Sequence, residues 1–169
     1  MTKIEIEDVI ERYVNTARIA QKAGFTGVQF HAAHGYLLTQ FLLPKMNKRT
    51  DEFGGSIENR AKVLFRIVEK ARKVLGENFP ISVKLNSADF QRGGYHDKEA
   101  FFIIKRLEEL GVDLLEISGE TYEHLDFMME KYERESTRKR EVYFLYFAQK
   151  VRKQFNIPLM GWFIEIDEK

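Results

Sequence analysis

Apolar residues recur along this chain with two alternating periods. Ile6, Val9, Ile10, Tyr13, Ala17 and Ala20 share one helical face. Thr2 and Glu5 in front of them have the spacing of a capping box, and Gly24 is placed to end the helix. Thr26 to His31 then reads as a short strand. A second amphipathic run from Asn59 to Leu75 carries Val63, Leu64, Ile67, Val68, Ala71 and Val74 inward and stops at Gly76. Pro80 to Asn86 is the next strand. Asp97 is placed to cap a third helix with Phe101, Ile104, Leu107 and Leu110 on one face, ended by Gly111. Val112 to Ser118 reads as the third strand. The fourth helix covers about Glu141 to Phe155, with Phe144, Phe147, Ala148 and Val151 inward, and Ile157 to Phe163 is the last strand. The charged stretch from Glu130 to Glu141 reads as a solvated loop or frayed helix.

The order is αβαβαβαβ, which implies parallel strands joined by crossover helices. Residues along a strand alternate between faces. Val28 and Phe30 oppose Gln29 and His31. Ile81, Val83 and Leu85 oppose Ser82, Lys84 and Asn86, and Leu115 and Ile117 oppose Glu116 and Ser118. A doubly wound sheet, covered by helices on both faces, should be apolar on both. One apolar face and one polar face fit a barrel whose lumen opens into a site at the C-terminal rim. The fourth strand lacks this split. A complete (β/α)8 barrel takes about 250 residues, and this chain has 169. The expected fold is therefore α/β, a partial TIM barrel of about four parallel strands in one domain, residues 1–169. Its outermost strands have open edges through which it could self-associate.

Composition narrows the function. A net charge of +1 gives no reason to expect nucleic acid or an acidic membrane surface as a partner. The absence of cysteine excludes disulfide and thiolate chemistry. No apolar run approaches the roughly 20 residues that span a bilayer, and the first residues resemble no targeting peptide. The expectation is a cytoplasmic protein.

The candidate chemistry lies after the first strand. His31-Ala-Ala-His34-Gly-Tyr36 places two imidazoles and a phenol within six residues. His31 lies on the strand's polar face. His34 would point the other way if the strand continued, so the chain must turn for the rings to converge, and Gly35 eases such a turn. A metal site is one reading, but no third ligand stands at a convincing spacing, so none is expected. Structural histidines are another. Tyr36 can pack on Leu37 and Phe41. Lys84 and Glu116, on neighbouring strands, can form an ion pair that only fixes the barrel. Between His31 and Asn59 runs a long connection containing Gly54-Gly55, with Ser56 or Asn59 placed to cap the next helix.

His31-Ala-Ala-His34-Gly-Tyr36-Leu, followed by Arg49-Thr-Asp51-Glu-Phe-Gly54-Gly55-Ser56-Ile-Glu-Asn59-Arg60, resembles the Old Yellow Enzyme family of NAD(P)H:flavin oxidoreductases. Ser82-Val-Lys84-Leu and Glu116-Ile-Ser118-Gly119 resemble the family's next two barrel strands. The resemblance extends from the helix before the fourth barrel strand to the seventh strand. It implies FMN at the barrel mouth, NADH or NADPH as reductant, and hydride transfer to an activated alkene such as an enone-type small molecule. By the same resemblance, His31 and His34 match the pair that hydrogen-bonds the substrate's electron-withdrawing group. Tyr36 matches the residue proposed to protonate the alkene carbon, and Lys84 a basic position, commonly Arg, beside the flavin's pyrimidine end. Two aligned N–H donors suit an oxygen that gains negative charge, and a phenol suits proton delivery from another side.

The seventh-strand segment, Ile157-Pro-Leu-Met-Gly-Trp162-Phe, lacks the family's Gly-Gly-x-Arg phosphate turn, and Glu165, Asp167 and Glu168 follow it. No segment matches the family's earlier strands or its eighth. The isolated chain is therefore expected to bind FMN weakly or not at all. The alternative function is a truncated, non-catalytic barrel fragment that keeps the motif by descent and acts as an interaction module. His96 is expected to be exposed, and His124 has no assigned role.

Overall fold

The structure is a computed structural model and describes residues 1–87, 94–118 and 135–161, with side chains of the last segment described from 145. The element order is α1 (Lys3–Lys22), β1 (Val28–Ala32), α2 (Leu37–Leu42), α3 (Ile57–Arg60), α4 (Lys62–Leu75), β2 (Ile81–Asn86), α5 (Asp97–Glu109), β3 (Leu114–Ser118), α6 (Glu135–Gln154) and β4 (Leu159–Gly161). The four strands form one parallel sheet in the order β1-β2-β3-β4. Sequential parallel order with a helix between strands is the arrangement of a (β/α)8 barrel, and this sheet is a part of one.

Local chemistry accounts for the element ends. The Thr2 hydroxyl accepts from the Glu5 amide at 3.2 Å, and the Glu5 carboxylate accepts from the Thr2 amide at 2.6 Å, completing the capping box of α1. Ser56 caps α3 by accepting from the Asn59 amide. The continuous Asn59–Leu75 helix read from the sequence is α3 and α4, joined at Ala61. Asp97 is not the cap of α5: His96 holds that position in extended backbone with no side-chain cap bond, and Asp97 is the first helical residue. An acidic residue there complements the helix dipole. His96 is exposed. Val74 is half exposed, and Leu75 takes the buried place at the end of α4. The last strand starts at Leu159, two residues later than expected, its expected last residues Trp162 and Phe163 lie outside the described residues, and Phe144, His124, Glu165, Asp167 and Glu168 lie outside the residues whose side chains are described.

One face of the sheet is covered. Phe30, Ile81, Val83, Leu85, Leu115 and Ile117 are buried against Ile6, Ile10, Leu64, Ile67, Val68, Ile103, Ile104 and Leu107 from the helices. Burying an aliphatic side chain of this size contributes about 1.5–3 kcal/mol, so this layer dominates stability. Helices α1 and α4 pack together, with Glu7–Arg66 and Glu11–Lys70 pairs across their outer side.

The connection from β1 to α3 is tightly folded. Asn47 donates to the Phe41 and Phe53 carbonyls at 2.7 Å each. Arg49 grips Asp51 through two bonds, at 3.0 and 2.6 Å, and also donates to the Met1 carbonyl. At Gly54 a Cβ atom would stand 2.1 Å from the Arg49 carbonyl oxygen, so no side chain fits. The buried Arg60 pairs with Glu99 at the start of α5. These residues shape the loop that carries α2 and support the end of β1.

Candidate active site

The polar face of the sheet becomes a layered rim. Strand register sets His31, Lys84, Glu116 and Met160 side by side across all four strands. One layer further on, Asn86 of β2 pairs with Ser118 of β3. Neighbouring strands lie about 4.8 Å apart, so side chains in one layer are within reach of each other.

His34 enters this rim because the backbone reverses. Its φ is +60° and that of Gly35 is +80°; His34 is the non-glycine residue with positive φ among those described. The left-handed conformation is costly for a residue with a side chain. Here Asn86 helps hold it, since the His34 amide donates to the Asn86 side-chain oxygen at 3.3 Å. The turn brings the rings together. The His31 and His34 centroids are 5.2 Å apart, edge to face, and the His31 and Tyr36 centroids 4.8 Å apart. Tyr36 is 46% exposed, at the start of α2. Its ring thus meets His31.

Each imidazole has a defined partner. The Ala33 amide donates to His31 Nδ1 at 3.2 Å. That nitrogen must be unprotonated, so the neutral ring carries its proton on Nε2. His34 Nε2 lies 2.6 Å from Ser118 Oγ. Burial lowers the pKa of His31, and the Lys84 ammonium adds to the effect against the opposing Glu116 carboxylate. Burial is again the first cause for His34, followed by Lys84 and then His31, and its pKa falls to about 4. Both rings are therefore neutral at physiological pH, and each offers one N–H donor.

Lys84 Nζ is 2.8 Å from Glu116 Oε1, and Gln29 Nε2 donates to Glu116 Oε2 at 2.9 Å. The side chains of Lys84 and Glu116 are 18% and 7% exposed. Lys84 thus lies on the same face as His31, with its charge compensated by Glu116. Among the described residues, no three metal-ligating side chains converge.

Comparisons with known proteins identify the family and the fold. The family model described as the NADH:flavin oxidoreductase / NADH oxidase family matches residues 1–162. The chain belongs to this family. It is 36% identical over 160 residues to the NADH oxidase of Thermoanaerobacter brockii, covering 95% of this chain and 24% of that protein. It is 41% identical over 119 residues to the NADPH dehydrogenase of Geobacillus thermodenitrificans, covering 70% of this chain and 34% of that one. Among solved structures, 2-naphthoyl-CoA reductase superposes with a TM-score of 0.82 at 32% identity, over 95% of this chain and 24% of that chain. Morphinone reductase in complex with tetrahydroNAD superposes with a TM-score of 0.72 at 26% identity, over 98% of this chain and 41% of that chain. The chain thus spans about a quarter to a third of the length of these curated relatives. In this NADH:flavin oxidoreductase family member, the layered rim lies within the matched residues.

The sequence pattern brought His31, His34, Tyr36 and Lys84 into one candidate site, and the structure places all four at the C-terminal end of the sheet. Sequence reasoning did not assign Asn86 and Ser118 as partners of His34. Both lie on the polar face by strand alternation, but only strand register sets them side by side.

Proposed function

We propose that this chain carries the acceptor-binding side of an FMN-dependent NAD(P)H oxidoreductase of the Old Yellow Enzyme type. The observation that supports this best is the convergence of the His31, His34 and Tyr36 rings beside Lys84. The donor set fits a flavin site on this side: two neutral imidazole donors and a cation share one face of the sheet. Lys84 would be the contact to the pyrimidine end of FMN. When bound, the flavin supplies a hydride taken from NADH or NADPH.

The chain's own residues do the rest. His31 donates from Nε2, and His34 gives the pair a second N–H. Both donors act on the carbonyl oxygen, or other electron-withdrawing group, of an activated alkene. As that atom gains negative charge, fixed dipoles stabilise it without reorganising. Neutral imidazoles serve as donors while leaving the net charge of the site low. Tyr36, against the edge of His31, delivers a proton to the alkene carbon. The covered apolar layer and the Arg49–Asp51 loop keep this end of β1 rigid. The proposal includes a cytoplasmic location, where nicotinamide reductants are available; among the described residues, no helix is long and apolar enough to cross a membrane.

The test uses the purified chain with excess FMN, NADH or NADPH, and 2-cyclohexen-1-one. Excess cofactor allows for the weak affinity expected of part of a barrel. Enone reduction above the FMN-only background, lost in the H31A/H34A double variant, is the expected result. Equal rates with and without the imidazole pair would remove it from the mechanism.

A second reading, a non-catalytic barrel fragment serving as an interaction module, is favoured by two observations. Among the described residues, the outer edges of β1 and β4 pair with no strand, and Glu116 already compensates Lys84. That reading expects self-association through the edges and no enone reduction under the same conditions. Sedimentation of the chain measures the first and the assay the second.

A further inference from the structure

Lys84 has two neighbours in its layer, His31 on β1 and Glu116 on β3. An ammonium on a flexible four-carbon stem takes many positions unless something holds it. We propose that Glu116 is a positioning residue: it ties the Lys84 ammonium down on the polar face beside His31, and Gln29 holds Glu116 in the orientation this needs. Three observations carry this.

Both oxygens of the Glu116 carboxylate are engaged, and on different strands. Oε1 lies 2.8 Å from Lys84 Nζ, and Oε2 accepts from Gln29 Nε2 at 2.9 Å. Strand β2 lies between β1 and β3, so Glu116 reaches across the strand of Lys84 to the strand of His31. Gln29 stands two residues before His31 and on the same face. A carboxylate held at one oxygen can swing about it, whereas one held at both has a single orientation.

The anion is also the most buried member of the set. The side chains of Glu116 and Lys84 are 7% and 18% exposed, whereas Gln29 is exposed. Swinging Glu116 away would leave a buried charge without a partner, so the lysine is tethered to the less mobile group. Among the described residues, the ion pair of Lys84 is the one with Glu116.

The third observation is that the ammonium reaches the imidazoles. After burial, Lys84 is the next cause that lowers the pKa of both His31 and His34, and it exceeds the raising effect of Glu116. A pair that only tied β2 to β3 would need neither the second bond to β1 nor an ammonium this close to the rings.

The consequence for the cofactor rests on the function proposed above. A lysine held level with His31 is placed for the pyrimidine end of FMN, and Glu116 acts there only through Lys84. The placement itself can be read without cofactor or substrate.

The experiment follows the His31 ring resonances through a pH titration of the isotope-labelled chain in the parent, K84M, E116Q and K84M/E116Q. The titratable groups facing His31 among the described residues are Lys84, Glu116, His34 and Tyr36, and the first two are varied. K84M removes a lowering influence and should raise the His31 midpoint. Made in the E116Q background, the same substitution should raise it far less, because the ammonium is no longer held beside the ring. Comparing the two rises cancels the direct effect of the Glu116 charge. Q29L changes no charge and should shrink the K84M rise in the same sense. Equal rises in the parent and E116Q backgrounds would overturn the proposal, since the lysine would then stand there unaided. The absence of any rise in K84M would overturn it too. If E116Q fails to fold, Q29L and K84M/Q29L decide, Gln29 being exposed. A cycle as expected without enone reduction sinks the functional reading alone, and equal rises with enone reduction intact sink the positioning role alone.

Discussion

The two ends of the same sheet use polar residues in opposite ways. At the N-terminal end, Arg72 donates to the carbonyls of Gly76, Phe79 and Gly111 and to the Asp113 carboxylate. Asp113 in turn accepts from the buried Ile81 amide at 2.8 Å. Polar capacity there goes mainly to backbone groups at the start of β2 and at the helix ends. At the C-terminal end, side chains face one another: Lys84 with Glu116, Gln29 with Glu116, and His34 with Ser118. That rim carries a left-handed histidine and two imidazoles shifted away from their usual pKa. The first arrangement satisfies the chain, whereas the second gathers ionisable groups on one face. Barrel enzymes divide stability and chemistry between their two faces in this way.

The two ends should respond differently to substitution. The largest effect is expected at the N-terminal end. Replacing Arg72 and Asp113 together, in R72M/D113L, should cost about 3–5 kcal/mol in urea unfolding, because the part-buried Ile81 amide and Phe79 carbonyl lose their partners and the bridge from α4 to the start of β3 is lost. The His31 and His34 resonances should stay where they are in the folded fraction. A loss near zero would mean that this end is not held by the Arg72 cluster.

The rim should behave differently. K84M leaves the mostly buried Glu116 carboxylate without its cation and should cost about 2–4 kcal/mol. K84M/E116M removes both charges and should return to within about 1 kcal/mol of the parent chain, since a buried pair often gives little net stability over apolar residues. Recovery at the rim without recovery at the base would sharpen the contrast. If the double variant stays as unstable as K84M, the ion pair is structural in the same sense as Arg72.

The smallest effect is in the pH dependence. The folded-state pKa of His34 is depressed to about 4. Between the usual histidine pKa and that value, the unfolded chain binds the proton that the folded chain refuses, so stability falls as pH falls. The contribution is whole above the usual histidine pKa and is lost as pH drops through about 4. His31 shifts in the same direction. His34→Asn keeps a residue tolerant of positive φ and removes one titration. Its Tm should decline less steeply than the parent's over that interval. An equal slope would mean that the burial of His34 is not what couples it to folding.

The sequence determined much of this protein locally. The capping box at Thr2 and Glu5, the helix stops after α1, α4 and α5, and the alternation in β1 to β3 follow from nearest-neighbour chemistry, which a linear pattern records. Alternation also separated the polar face from the apolar one, and the motif around His31, His34 and Tyr36 marked the candidate site. Local rules served less well at the first turn of α5, where an acidic residue suited to capping stands one position inside the helix, and at Val74, whose place in the core Leu75 takes.

Most of the polar partnerships were decided by the tertiary structure. Ser118 lies far from His34 along the chain, as Glu116 does from Gln29, and no periodicity encodes their pairing, whereas strand alternation already allowed the Lys84–Glu116 pair. Strand register fixes those contacts, and the positive φ of His34 turns its ring toward them. The physical reason is that residue type and spacing specify the face on which a side chain stands, whereas its partner is set by how separate strands align once the apolar layer has been buried.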